Sequence, residues 1–211
     1  MISLDNRLVS VLDIFPSCRL AADIGADHGK LALALVSEGK AEKVIVTDIS
    51  RDSLRKAETL FAAHNASHLA VFVLGDGMTV LPETPDAVSM CGMGGKTISR
   101  ILENGIPRIY GAEVILSPHT EIPIVRQTVY RLGYHITSER CVVASGRFYV
   151  ILSAKPGHET ISEEEMELGP CLYRHRDDPV VKDYYLWRAK VLSAGRNETS
   201  KEKAGWYFNA L

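Results

Sequence analysis

Apolar residues recur along this chain with two alternating periods. Leu4, Leu8, Val11 and Leu12 follow a helical spacing, so residues 4–15 are expected to form a short amphipathic helix that Pro16 ends. Residues 19–24 are a compact apolar run that leads into a glycine-containing turn. The run Leu31-Ala32-Leu33-Ala34-Leu35-Val36 predicts a helix over 30–37, closed by Gly39. A second β-rich run covers 43–48, and Ser50 or Asp52 is placed to cap a helix that extends to about 65. The alternation continues with strands at 70–74, 87–91 and 113–116 and helices at 97–103 and 122–132, the last stopped by Gly133. Two final strands, 135–143 and 147–154, flank Ser145-Gly146, which reads as a hairpin turn.

Short strands that are apolar on both faces, separated by helices, predict an α/β fold with a mostly parallel sheet covered by helices. Seven strands are expected, and the closing hairpin adds an antiparallel pair to a Rossmann-like sheet. After Pro156-Gly157 the composition changes. Residues 159–167 are acidic, Gly169-Pro170 punctuates, and the remainder mixes charge with Tyr184, Tyr185, Trp187, Trp206, Tyr207 and Phe208. The chain therefore divides into an α/β domain over 1–157 and a helical extension over 158–211, expected as a helix pair packed on the domain.

Composition narrows the picture. In 211 residues, 46% are hydrophobic and 24% charged, which suits a globular protein able to stand without disulfides. The net charge of -2 excludes a basic field over the whole chain but not a local basic face. Cys18, Cys91, Cys141 and Cys171 form no C-x-x-C pair, so reduced, mostly buried thiols and no metal are expected. Residues 1–7 carry Asp5, Asn6 and Arg7 in place of an apolar leader, and no run has the length of a membrane span. A cytoplasmic location and no membrane partner are expected. The oligomeric state is not legible.

Candidate chemistry gathers where the strands end, the edge at which such sheets bind ligands. The loop after the first strand reads Asp23-Ile24-Gly25-Ala26-Asp27-His28-Gly29. A dinucleotide would place its pyrophosphate here, beside Asp23 and Asp27, and like charges at such range cost on the order of 1 to 4 kcal/mol. Asp27 also stands where the second glycine of G-x-G-x-x-G belongs, and no G-K-[ST] follows. S-adenosyl-L-methionine has no phosphate and carries two cationic groups that an acidic rim attracts. Asp48, followed by Ile49, ends the second strand about 20 residues on, where a carboxylate accepts ribose hydroxyls. Asp76, between Gly75 and Gly77, ends the third and is placed to accept from an adenine amino group. The fourth loop, Gly92-Met93-Gly94-Gly95, leaves backbone bare for a flat base and offers N–H groups to orient a methyl acceptor.

Together these loops resemble those of the bacterial tRNA (adenine-22-N1)-methyltransferase family, which reads D-I-G-[ST]-D-H, G-D-G and [AC]-G-M-G-G at these places. Leu4-Asp5-Asn6-Arg7-Leu8, Tyr149 and Glu167-Leu168-Gly169-Pro170 fit the same pattern. The resemblance implies a class I methyltransferase domain with a coiled-coil-like C-terminal extension that helps to hold tRNA. It implies Asp23, Gly25, Asp27 and His28 at the methionine end of the cofactor, Asp48 at the ribose, Asp76 at the adenine and residues 92–95 at the reaction centre; Gly29, Ile49, Gly77 and Gly92 complete the candidate cofactor contacts. Arg7, Met93, Ser117 and His119 are the candidate substrate contacts, and Arg7 is also a candidate partner for the cofactor carboxylate. His28 is expected to orient the ligand or its own loop, and Asp27 to accept turn N–H groups. Arg51, Arg55, Lys56, Arg174, Arg176, Lys182, Arg188, Lys190 and Arg196 are candidate phosphate contacts. One departure stands out: Ser117-Pro118-His119 occupies the place of the family's Q-P-N. It leaves open a different RNA base or a small molecule as acceptor, or a cofactor-binding RNA module with little catalysis.

Overall fold

The computed structural model describes residues 2–211. Seven strands form one sheet: β1 (Cys18–Ile24), β2 (Ala41–Asp48), β3 (Ala70–Leu74), β4 (Ala87–Cys91), β5 (Glu113–Ser117), β6 (Tyr134–Ala144) and β7 (Arg147–Pro156). Their order is β3-β2-β1-β4-β5-β7-β6, parallel except for β7, which runs antiparallel to both β5 and β6. The expected mixed α/β sheet and its closing hairpin are present. The order reverses between β1 and β4, so the loops after these two strands open a crevice at the carboxyl edge.

Alternation along β1 shows how the layers divide. Leu20, Ala22 and Ile24 point to a core shared with α4 (Gly95–Gly105) and α5 (Ile122–Arg131). Ala21 points to the opposite core, with α1 (Asn6–Ile14), α2 (Lys30–Ser37) and α3 (Arg51–Ala63). The helix expected over 4–15 is shorter, because Asp5 caps it by accepting the Leu8 N–H and the chain turns extended at Phe15, before Pro16. Of the two candidate caps for α3, Ser50 is used, accepting the Ser53 N–H. The fourth helix starts two residues earlier than expected, with Gly94 as N-cap. Cys171 alone of the four thiols is buried, and the other three are half-buried.

The tail folds as α6 (Glu163–Leu168), α7 (Pro179–Ser193) and α8 (Glu198–Asn209). Tyr184, Tyr185 and Tyr207 pack with Val150 of β7 in a third apolar cluster. A buried ion pair anchors it. Arg126 of α5 donates from Nε to Glu139 of β6 at 2.8 Å and from Nη1 to the carbonyls of Met166 and Glu167. Glu139 in turn accepts the N–H groups of Cys171 and Leu172. Among the described residues, no helix is long and apolar enough to cross a membrane.

Candidate active site

Two cavities meet at the carboxyl edge of the sheet, and Gly25 and Met93 line both. The Met93 thioether lies over Gly25, so that a Cβ at position 25 would sit 3.2 Å from its Sδ and Cε. One cavity, about 270 Å³, holds Asp48, Ile49, Asp76 and Gly77. The other, about 400 Å³, holds Asp23, Asp27, His28, Gly92, Arg7 and His119.

In the smaller cavity, Asp48 braces the first loop. Its Oδ2 accepts the Asp27 N–H at 3.0 Å and its Oδ1 the Ser50 N–H at 2.8 Å. A carboxylate has about four lone-pair sites, so both oxygens retain capacity toward the cavity. Asp76 accepts from Arg100 Nη1 at 3.1 Å. Ile49 is 73% exposed, an apolar side chain left bare beside these acids.

The larger cavity has a buried carboxylate at its back. Asp23 is 3% exposed and accepts from the Ser89 hydroxyl at 2.7 Å. Burial pushes its pKa up to about 6, against the lowering effects of the Ser89 hydrogen bond and the Arg7 charge. Arg7 sits on the first turn of α1, with its guanidinium carbon 5.5 Å from the centre of the Tyr149 ring. Its Nη1 is buried and finds no hydrogen-bond partner among the described residues. His119 meets the same tyrosine edge-on at 5.4 Å. Burial, then the charges of Arg7 and Arg147, hold its imidazole below the ordinary histidine range, so it is neutral at pH 7.

Several expectations change in detail. Asp27 does not accept turn N–H groups. Its own N–H donates to Asp48, its backbone is left-handed with φ 50°, and its side chain is 73% exposed. His28 takes a hydrogen bond from Lys56 at 3.2 Å and lies 3.6 Å from Asp27. Gly29 lines neither cavity; it faces α3, where a Cβ would come within 2.7 Å of Ala57 Cβ. Gly94 and Gly95 also lie outside both cavities. A Cβ at Gly95 would meet the carbonyl oxygens of Thr120 and Glu121 at 2.6 and 2.7 Å, so its bare backbone serves helix packing and not an approaching base. The loops after β4 and β5 are laced together there by Gly95 N–H to Thr120 O and His119 N–H to Met93 O. Ser117 is fully buried with its hydroxyl unpartnered, and lines neither cavity. The family departure therefore reaches the cavity through His119 alone.

Arg188, expected at an RNA face, is paired instead with Glu167 at 2.8 Å. Lys30, Leu31, Cys91, Thr97 and Arg100 line the cavities without having been singled out as site residues. Thr97 and Arg100 lie on α4, where the sequence marked only a helix, and their i, i+3 spacing was the available signal. Burial pushes the Cys91 thiol far up, so it is not a nucleophile at neutral pH.

Arrangement and chemistry match what the sequence comparisons find. A methyltransferase domain family matches residues 4–152. The tRNA (adenine(22)-N(1))-methyltransferase of Bacillus subtilis is 29% identical over 192 residues, 87% of this chain and 80% of that protein. A Mycoplasma pneumoniae protein with a provisional tRNA methyltransferase name is 30% identical over 181 residues, 83% of each chain. A Streptococcus pneumoniae protein, provisionally named a tRNA (m1A22) methyltransferase and crystallised with S-adenosyl-L-methionine, superposes with a TM-score of 0.92 at 25% identity, covering 100% of both chains. With the two joined cavities at the switch point of a seven-stranded sheet, this chain belongs to the methyltransferase domain family, and the relatives it matches over most of its length carry tRNA methyltransferase names.

Proposed function

We propose that this protein transfers a methyl group from S-adenosyl-L-methionine to N1 of an adenine in tRNA, at position 22. The observation that carries this reading is the pair of cavities joined at Gly25 and Met93. The smaller cavity fits adenosine: Asp48 toward the ribose hydroxyls, Asp76 and the Gly77 backbone toward the adenine edge, Ile49 against the ring. The larger fits the amino-acid end, with Asp23 toward the ammonium and the unpartnered Arg7 Nη1 toward the carboxylate. Gly25 and Met93 then border the sulfonium, where the bound cofactor supplies an electrophilic methyl group.

The acceptor needs little activation. Adenine N1 keeps its lone pair free at neutral pH, so positioning and electrostatics carry the rate and no side chain has to remove a proton first. N1 lies on the Watson–Crick edge, so the base must leave its stack to react. The Gly92 backbone offers a face for that base, with Tyr149 behind it holding Arg7 and His119. Neutral His119 can accept a hydrogen bond from the adenine N6 amino group, which becomes a better donor as positive charge develops on the ring. The tail, 158–211, helps to hold the tRNA, and the protein works in the cytoplasm, where tRNA is found.

The test is direct. Incubation with labelled cofactor and tRNA lacking the modification is expected to place label on N1 of A22. Label on another base, or transfer to no tRNA, overturns the reading.

A further inference from the structure

Beside the larger cavity runs an open groove of about 490 Å³, lined by His28, Lys30 and one face of α3. We propose that this groove holds a nucleotide next to the target adenine, its phosphate on the basic rim and its base on the apolar floor. The proposal rests on the tRNA reading above and adds a second RNA site to it.

The rim and the floor come from helical spacing. Arg55, Thr59 and Ala63 recur at i, i+4, and so do Lys56 and Leu60, which places all five on one face of α3. The opposite face buries Leu54, Ala57 and Phe61 against the sheet. Arg55, Lys56 and Lys30 are exposed cations, and no carboxylate lines the groove among the described residues. Leu60 and Ala63 form the floor, and the Thr59 hydroxyl is already spent on the Arg55 carbonyl at 2.8 Å. Cations over an apolar surface suit a group with an anionic end and a flat face, which describes a nucleotide.

Position supports the same occupant. His28 and Lys30 line both the groove and the larger cavity. A base displaced into that cavity stays tied by its phosphates to its neighbours, so a neighbour must lie just outside a rim. On the α1 side that rim carries Asp5 beside Arg7, which the proposed cofactor carboxylate takes, and on the adenosine side the cofactor would fill the space. The α3 side presents three cations. Gly29 makes the geometry available, because its bare backbone lets Ala57 seat against the loop and draws α3 up beside His28.

Arg55→Ala and Ala63→Asp test the groove without touching a cofactor-cavity residue. Each is expected to weaken tRNA binding, read by filter binding, by roughly fivefold or more. Cofactor affinity by calorimetry is expected to stay unchanged. Arg55→Ala is expected to shrink the slope of log affinity against log salt by about 0.7, one single-strand phosphate contact, and Arg55→Lys to restore both. An abasic site in place of one neighbour of the target is expected to weaken binding to the wild type but not further to Ala63→Asp. Wild-type affinity and salt slope in both variants overturn the groove. If the wild type binds tRNA but methylates another position, the function reading falls while these affinities still judge the groove. Failure of the wild type to bind tRNA overturns both.

Discussion

Asp23 concentrates the electrostatic tension of the site in one residue. Its folded pKa, about 6, lies above the ordinary 3.8, so the folded protein favours the neutral acid. The stability this gives is full below pH about 3.8 and is lost as pH rises through about 6. Above that the ionised group costs roughly 3 kcal/mol, which is what 1.36 kcal/mol per pKa unit implies. A cationic ammonium beside the carboxylate would reverse the preference. Asp23→Asn is therefore expected to raise the melting temperature of the cofactor-free protein at pH 8 while weakening cofactor binding at least tenfold. Cofactor affinity of the wild type should rise between pH 5 and 7, with a proton released on binding that calorimetry in buffers of different ionisation heat will detect. Equal affinity in the variant would remove Asp23 from the cofactor site. Asp48 carries a double load, since it holds the Asp27 and Ser50 N–H groups and faces the cavity. Its replacement by Ala should both lower cofactor affinity and loosen the left-handed backbone at Asp27.

The elements around the site are placed by contacts that a helical or strand period does not reveal. The start of α4 is sewn to the loop after β5, with Gly95 pressed on the Thr120 and Glu121 carbonyls. Gly95→Ala must push backbone against backbone, and overpacking of this kind costs about 1 to 3 kcal/mol. A denaturant melt should show that loss, together with a fall in transfer rate larger than the fall in cofactor affinity, because the two displaced loops carry Met93 and His119. The hydrophobic pattern made the strand ends and the helices between them legible, and so located the four loops. It did not tell which glycines face ligand and which face protein. Gly25 and Gly29 share the same left-handed φ of 68°, yet one lies under Met93 at the cavity and the other under Ala57 of α3.

At the scale of the whole molecule, the tail and the sheet share structure. Arg126 and Glu139 are fully buried, and their remaining partners are backbone groups of Met166, Glu167, Cys171 and Leu172. Removing one partner of a buried ion pair costs about 3 to 5 kcal/mol. A chain cut to residues 1–157 keeps the pair but strips its other hydrogen bonds and bares Val150. It is expected to lose cooperative thermal unfolding, whereas a change at exposed Lys190 leaves the melt intact. A sharp, wild-type-like transition in the truncated chain would show that the tail is dispensable for folding. The whole-chain charge of -2 conceals the local basic groove on α3, an asymmetry that the proposed nucleotide site uses.

Local physics was enough for the sequence to determine the alternation of strands and helices, the acids at successive strand ends and the preference for a cationic cofactor over a phosphate. Each depends on periodicity, on turn chemistry or on charge within one loop. Only the tertiary structure decided that Met93 stands between the two cavities, that Ser117 is sealed away while His119 lines the larger one, and that Arg188 serves Glu167. Those outcomes depend on contacts between residues far apart in the chain, where a side chain's role is set by whichever surface packs against it.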